Sequence, residues 1–148
     1  MNSLHRRGAE EAEFEQGGLT ESIIGAAIEV HSVLGPGLLE SVYQQALQRE
    51  LTLRAIPFSG QIEVPLTYKG EALPASLRLD LLVDSRVVVE IKSVASIEPV
   101  HVAQLLTYLK LARVRPGLLL NFNVVRLKDG IKRILNPLLA SASSAAPR

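Results

Sequence analysis

At 148 residues, 47% hydrophobic and 21% charged, the chain has the composition of one globular domain. It contains no cysteine, which removes disulfides, thiolate metal sites and cysteine nucleophiles. No run approaches the ~18 apolar residues of a membrane span, and no charged-then-apolar leader opens the chain, so the expectation is a cytoplasmic protein without a membrane partner.

Residues 1–18 are Glu-rich and end in Gly17-Gly18, and residues 138–148 run into Ala/Ser low complexity; both are expected to be disordered tails around a domain spanning 19–137. Thr20 is placed to cap a first helix with Ile23, Ile24, Ala27, Ile28 and His31 at helical spacing. Leu34-Gly35-Pro36-Gly37 breaks it. In a second helix Leu39, Val42, Tyr43, Ala46 and Leu47 form the buried side, fading near Arg54. Ile62 to Tyr68 reads as a strand, at an edge because of Pro65, turned by Lys69-Gly70. A hairpin follows, then a helix opened by Pro99 and running to about Ala112. Gly117 to Phe122 reads as a buried strand, and Ile131 to Leu135 as a last one after Lys128-Asp129-Gly130. The order α, α, β-meander, α, β, β predicts an α/β fold, a mixed central sheet flanked by helices.

The hairpin carries the chemistry. Leu79-Asp80-Leu81-Leu82-Val83 and Val87-Val88-Val89-Glu90-Ile91-Lys92 are joined by Asp84-Ser85-Arg86. If those three residues are the loop, Val83 faces Val87 and Asp80 stands opposite Glu90, with Lys92 on the same face. A two-residue loop would send the carboxylates to opposite faces. Like charges directly opposite repel unless a positive group stands between them. A divalent cation with oxygen ligands resolves the conflict, and Lys92 is well placed beside it. The alternative is a solvated polar face on an ordinary antiparallel pair.

Two helices add candidates. Glu40 and Tyr43 lie three apart on one face, where Glu40 is either a functional carboxylate or a first-turn acid favoured by the helix dipole. His101, Gln104 and Tyr108 form one stripe, which either points at the carboxylates, with Gln104 orienting a ligand or the lysine, or is structural, with the Tyr108 hydroxyl at the rim of the core and Gln104 in a helix-to-strand hydrogen bond. His31 reads as a structural group or a C-terminal dipole partner. There is no dinucleotide or phosphate-loop glycine motif and no nucleophile elbow. Three Phe, three Tyr and no Trp leave little for a stacking platform.

Charge is asymmetric beneath a net +1: residues 1–50 hold three Lys/Arg against eight Asp/Glu, and residues 99–148 hold eight against one. This points to an acidic partner, with Lys128, Lys132 and Arg133 expected to hold a nucleic-acid backbone if they flank the site. Scattered solvated charges are the competing account.

Gly37-Leu38-Leu39-Glu40-Ser41-Val42-Tyr43 resembles the motif of the small GxxExxY proteins. The likeness continues through Leu79 to Val83, Val89 to Lys92, His101 to Lys110, Gly117 to Phe122 and Gly130 to Arg133, covering nearly all of Leu19 to Asn136. That family is placed in the PD-(D/E)XK nuclease superfamily, whose restriction-endonuclease-like core is an α-β-β-β-α-β sandwich. The resemblance implies metal ligation by Asp80, Glu90 and the Ile91 carbonyl, and a catalytic lysine at Lys92. Glu40 resembles the helix glutamate that completes the metal site, and Gln104 and Tyr108 the residues that support the lysine and contact phosphate. Leu79 stands where the motif proline would precede Asp80. The expected activity is Mg²⁺-dependent phosphodiester hydrolysis, with Mn²⁺ as substitute. The alternative is a non-catalytic nucleic-acid or protein binding module on the same fold. Oligomeric state is not legible.

Overall fold

A computed structural model describes residues 18–139. The expected tails therefore lie outside the described residues, apart from Gly18, Leu138 and Leu139. The last two extend past the expected boundary at 137, where Arg115 donates from Nη1 to the carbonyls of Asn136 and Leu139.

The elements are α1 (Leu19–Leu34), α2 (Glu40–Leu53), β1 (Phe58–Tyr68), β2 (Glu71–Val83), β3 (Val87–Lys92), α3 (Pro99–Ala112), β4 (Pro116–Asn121), a 3₁₀ turn (Leu127–Gly130) and β5 (Ile131–Leu135). One five-stranded sheet runs in the order β1-β2-β3-β4-β5. Only β3 and β4 are parallel, joined through α3; the other pairs are antiparallel. The fold is the expected α/β class with a mixed sheet.

Two apolar layers sandwich the sheet. Ile23, Ala26, Ala27 and Val30 of α1 and Tyr43, Leu47 and Leu51 of α2 pack on Leu81, Val83, Val87, Val89, Ile91, Leu118, Leu120 and Phe122. On the opposite face Leu105, Tyr108 and Leu109 of α3 meet Leu79, Val88 and Leu119. With both faces covered, β3 can be an unbroken Val-Val-Val-Glu-Ile run rather than an alternating one. Tyr43 stacks on Phe122 with centroids 4.6 Å apart, and its hydroxyl donates to Gly35 O while accepting the Leu38 N–H. That phenol bridges the two ends of the α1–α2 connection.

The first two helices differ from expectation in detail. Thr20 is not a cap: it lies inside α1, buried, with no partner for its hydroxyl among the described residues, and Gly18 takes the N-cap position. Ile28 is 47% exposed because it lies about 100° around the helix from buried Ala27. Leu39 and Val42 are exposed too. Leu39 is the extended N-cap residue, and the buried stripe of α2 is Tyr43, Gln44, Leu47 and Leu51.

β1 and β2 pair from Phe58↔Val83 to Tyr68↔Glu71, closed by Lys69 and Gly70, both with positive φ as a two-residue hairpin turn needs. β2 pairs with β3 only through Leu81, Leu82 and Val83. The β1–β2 ribbon therefore continues past the end of the β2–β3 ladder. Asp80 sits at that fork.

Candidate active site

The loop Asp84-Ser85-Arg86 sets the geometry of the site. Asp84 and Ser85 both take positive φ (50° and 55°), and the Arg86 N–H closes on Val83 O at 2.9 Å. Val83 pairs with Val87, Leu82 with Val88 and Leu81 with Val89. Continuing this count sets Asp80 across from Glu90, but there the backbone ladder stops and side chains replace it. The Asp80 N–H donates to Glu90 Oε1 at 3.1 Å, and the Ile91 N–H donates to Asp80 Oδ2 at 2.8 Å. Each carboxylate thus satisfies an N–H belonging to the strand region of the other.

The chain also turns over at this point. Leu79 and Leu81, two apart on one strand, sit in opposite cores. The β1–β2 register skips Gln61 and Asp80, and Gln61 has φ of 53°. Gln44 of α2 holds the resulting bend, donating from Nε2 to the Asp80 carbonyl at 3.0 Å. Sequence reasoning missed Gln44. The available signal was its spacing of four from Glu40, which puts both on one helix face.

Burial and mutual charge control the protonation of the pair. Glu90 is only 5% exposed. Its carboxyl is pushed up to about 8, first by burial and then by the neighbouring Asp80 charge. Asp80 is also raised, by burial and by the Glu40 carboxylate, against the lowering effects of the Ile91 N–H and the Lys92 ammonium. Each carboxyl therefore acts on the titration of the other. Both shifts favour the protonated form, and Glu90 carries the larger one.

Lys92 follows on the same strand. Its ammonium donates to Gln104 Oε1 at 3.0 Å, and Gln104 Nε2 donates to the Tyr108 hydroxyl at 2.9 Å. The α3 stripe therefore meets the hairpin through Gln104, a helix-to-strand hydrogen bond that both readings of the stripe allow, with Tyr108 in the core beside it. The Tyr108 phenol is raised by burial first, then by the Glu90 and Asp80 charges. His101 stands apart from this relay, because its Nδ1 accepts the Glu98 N–H at 2.9 Å and closes the α3 capping box. His31 is structural, bonding Val124 O at 2.8 Å through Nε2.

Glu40 is adjacent without joining the pair. Its carboxylate accepts the Ser93 N–H at 3.3 Å, and Ser93 Oγ donates to Leu38 O at 2.6 Å, pinning the start of α2 to the end of β3. Among the described residues no three His, Cys, Asp or Glu side chains gather as a metal-ligand group. Glu40 reaches the pair through its field rather than as an assembled third ligand. Beyond Lys92, Asn121 clamps the chain by accepting the Val94 N–H and donating to Val94 O. This second missed residue had a signal too, as the one polar side chain ending an apolar strand.

The donor set fits a hard divalent cation. A half-buried and a buried carboxyl each spend one oxygen on a backbone N–H, and a cation relieves the repulsion between them more fully than a proton. All side-chain donors of the pair are oxygens, the preference of Mg²⁺ and Mn²⁺.

The basic residues divide. Lys132 pairs with Leu119, which in turn pairs with Glu90, so Lys132 shares the site's face of the sheet. Arg133 pairs with Leu118 and faces the α1–α2 side. The two-residue period of the strand thus sets Lys132 and Arg133 on opposite faces, so the condition of flanking the site is met on the site's face by Lys132 alone of the two. Lys128 lies in the 3₁₀ turn beside a groove shared with His31, Pro36 and Arg126.

No helix among the described residues is long and apolar enough to cross a membrane. Neither a curated protein nor a solved structure matches the chain. A family model for the PD-(D/E)XK nuclease superfamily matches residues 17–134, an interval that contains both strands of the hairpin, α2, α3 and all the carboxylates above. With most of its length matched, the chain belongs to the PD-(D/E)XK nuclease superfamily.

Proposed function

We propose that the protein is a metal-dependent nuclease that hydrolyses phosphodiester bonds of nucleic acid. The observation that carries this reading is the Asp80–Glu90 pair, a half-buried and a buried carboxyl that each accept a backbone N–H from the other's strand region, with the Lys92 charge acting on both. Burying like charges together costs stability and is kept where the site needs it.

Asp80, Glu90 and the Ile91 carbonyl would hold Mg²⁺, or Mn²⁺ in its place. When bound, the cation polarises a phosphoryl oxygen and lowers the pKa of a water. The protein's own groups do the rest. Glu40 adds negative potential, which raises the Asp80 pKa in the free protein and would attract a divalent cation to the same place. Lys92, held by Gln104, presents a fixed positive charge where the phosphate accumulates negative charge. Tyr108 fixes the orientation of Gln104 and so of the ammonium. Lys132 and Lys128 are the cations we assign to the nucleic-acid backbone. The motif over residues 37–43 supports the narrower placement among GxxExxY proteins, and a cytoplasmic setting goes with it.

The test is cleavage of plasmid, linear duplex and single-stranded substrates with Mg²⁺ or Mn²⁺. Wild type should cut at least one of them, and Asp80→Ala should not. Calorimetry with either cation separates the reading from a pure binding module, which would bind nucleic acid without a metal signal.

A further inference from the structure

A pocket on the α2 side is joined to the Asp80 backbone through Gln44 and differs from the carboxylate pair in chemistry. It has a volume of about 260 Å³ and is lined by Ser41, Gln44, Gln45, Gln48 and Gln61. The first four fall at i, i+3, i+4 and i+7 on α2, a single face of the helix. Gln61 closes the pocket from β1, at the left-handed residue where the ribbon turns over. Gly60 makes room for this wall, since a Cβ there would collide with Gln48 Nε2. Gln44 Nε2 is committed to the Asp80 carbonyl, which ties the pocket to the metal-binding strand. Among the described residues, the side chains of Ser41, Gln45, Gln48 and Gln61 have no hydrogen-bond partner. No charged side chain lines the pocket.

We infer that this pocket reads the base of the nucleotide next to the scissile phosphate. The inference rests on the nuclease reading for its substrate class. The amides of Gln45, Gln48 and Gln61 and the Ser41 hydroxyl offer donors and acceptors together, which suits a base edge. A phosphate, acceptor-only and anionic, would find no cation here and two carboxylates nearby. At about 260 Å³ the pocket falls below the ~300–1,000 Å³ of sites that enclose a drug-sized ligand, so one base is the natural occupant. Adenine is the base whose N6 and N7 a glutamine amide meets with two hydrogen bonds.

The experiment is equilibrium binding of homopolymeric oligonucleotides by the full chain in EDTA, where cleavage does not intervene. Wild type should discriminate between bases by about 5- to 150-fold, the range of one bidentate amide–base contact. Gln45→Ala/Gln48→Ala should flatten that discrimination while leaving the salt dependence of binding unchanged. Gln61→Asn, which tolerates the same backbone, should reduce it from the other wall. Equal affinity of wild type for all bases overturns the inference, as does discrimination that survives both variants. Base-selective binding without cleavage in Mn²⁺ would leave the pocket standing and remove the nuclease reading. Cleavage without base discrimination would do the reverse.

Discussion

At the scale of single residues, Glu90 couples the site to stability. Its folded pKa is raised from 4.5 to about 8, so between those values the folded state holds a proton that the unfolded state has lost. Stability is full below the unfolded pKa and falls as pH rises through the folded one, by at most about 1.4 kcal/mol per pH unit. Metal-free protein should therefore show a falling melting temperature from about pH 5 to above pH 8. Glu90→Gln, which can still accept the Asp80 N–H, should flatten that fall and be the more stable protein at high pH. A mutant curve parallel to wild type would mean that Glu90 is not the titrating group. The lysine relay makes a separate prediction. Tyr108→Phe removes one hydrogen bond from Gln104 and should lower kcat by about tenfold, the worth of one such contact, with cation affinity unchanged. A matched loss of cation affinity would place Tyr108 in a different role.

At the scale of elements, the hairpin is the most legible part of the chain. Loop parity and strand alternation alone put Asp80 across from Glu90, and the Val83↔Val87 register agrees. The turning-over at Asp80 is not legible, because it depends on a positive φ at Gln61, a residue with no strong preference for one. The helix starts depart from expectation for a related reason. Thr20 and Leu39 carry ordinary capping and apolar signals, and only the position of each helix over the sheet decides which face is covered. The polar end of an apolar strand marks Asn121 in the sequence, but not that its partner is the segment after Lys92. That clamp gives an element-level prediction, because a Cβ on Gly130 would collide with the Asn121 carbonyl oxygen. Gly130→Ala should cost about 1–3 kcal/mol through overpacking, loosen Val94, and lower the melting temperature by several degrees. An unchanged melting temperature would show that the 3₁₀ turn yields freely.

At the scale of the whole molecule, the fork between β2 and β3 opens the site at the end of the sheet. The cations of the C-terminal third do not form one surface there. Lys132 shares the face of Glu90 while Arg133 turns to the α1–α2 side. Lys132→Ala should reduce the log–log salt slope of nucleic-acid binding by about one unit, one released counterion, whereas Arg133→Ala should leave it unchanged. Equal effects would mean that the substrate wraps the β5 edge. The central claim is that Asp80, Glu90 and Lys92 form one cation-dependent hydrolytic centre, and its most direct measurement is single-turnover cleavage by wild type, Asp80→Asn, Glu90→Gln and Lys92→Met. We predict cleavage by wild type only with Mg²⁺ or Mn²⁺ present, and a loss of at least about 100-fold in every variant, the worth of one transition-state charge contact. Affinity for nucleic acid in EDTA should remain within a few-fold. Cleavage by any of the three variants at the wild-type rate would contradict the account.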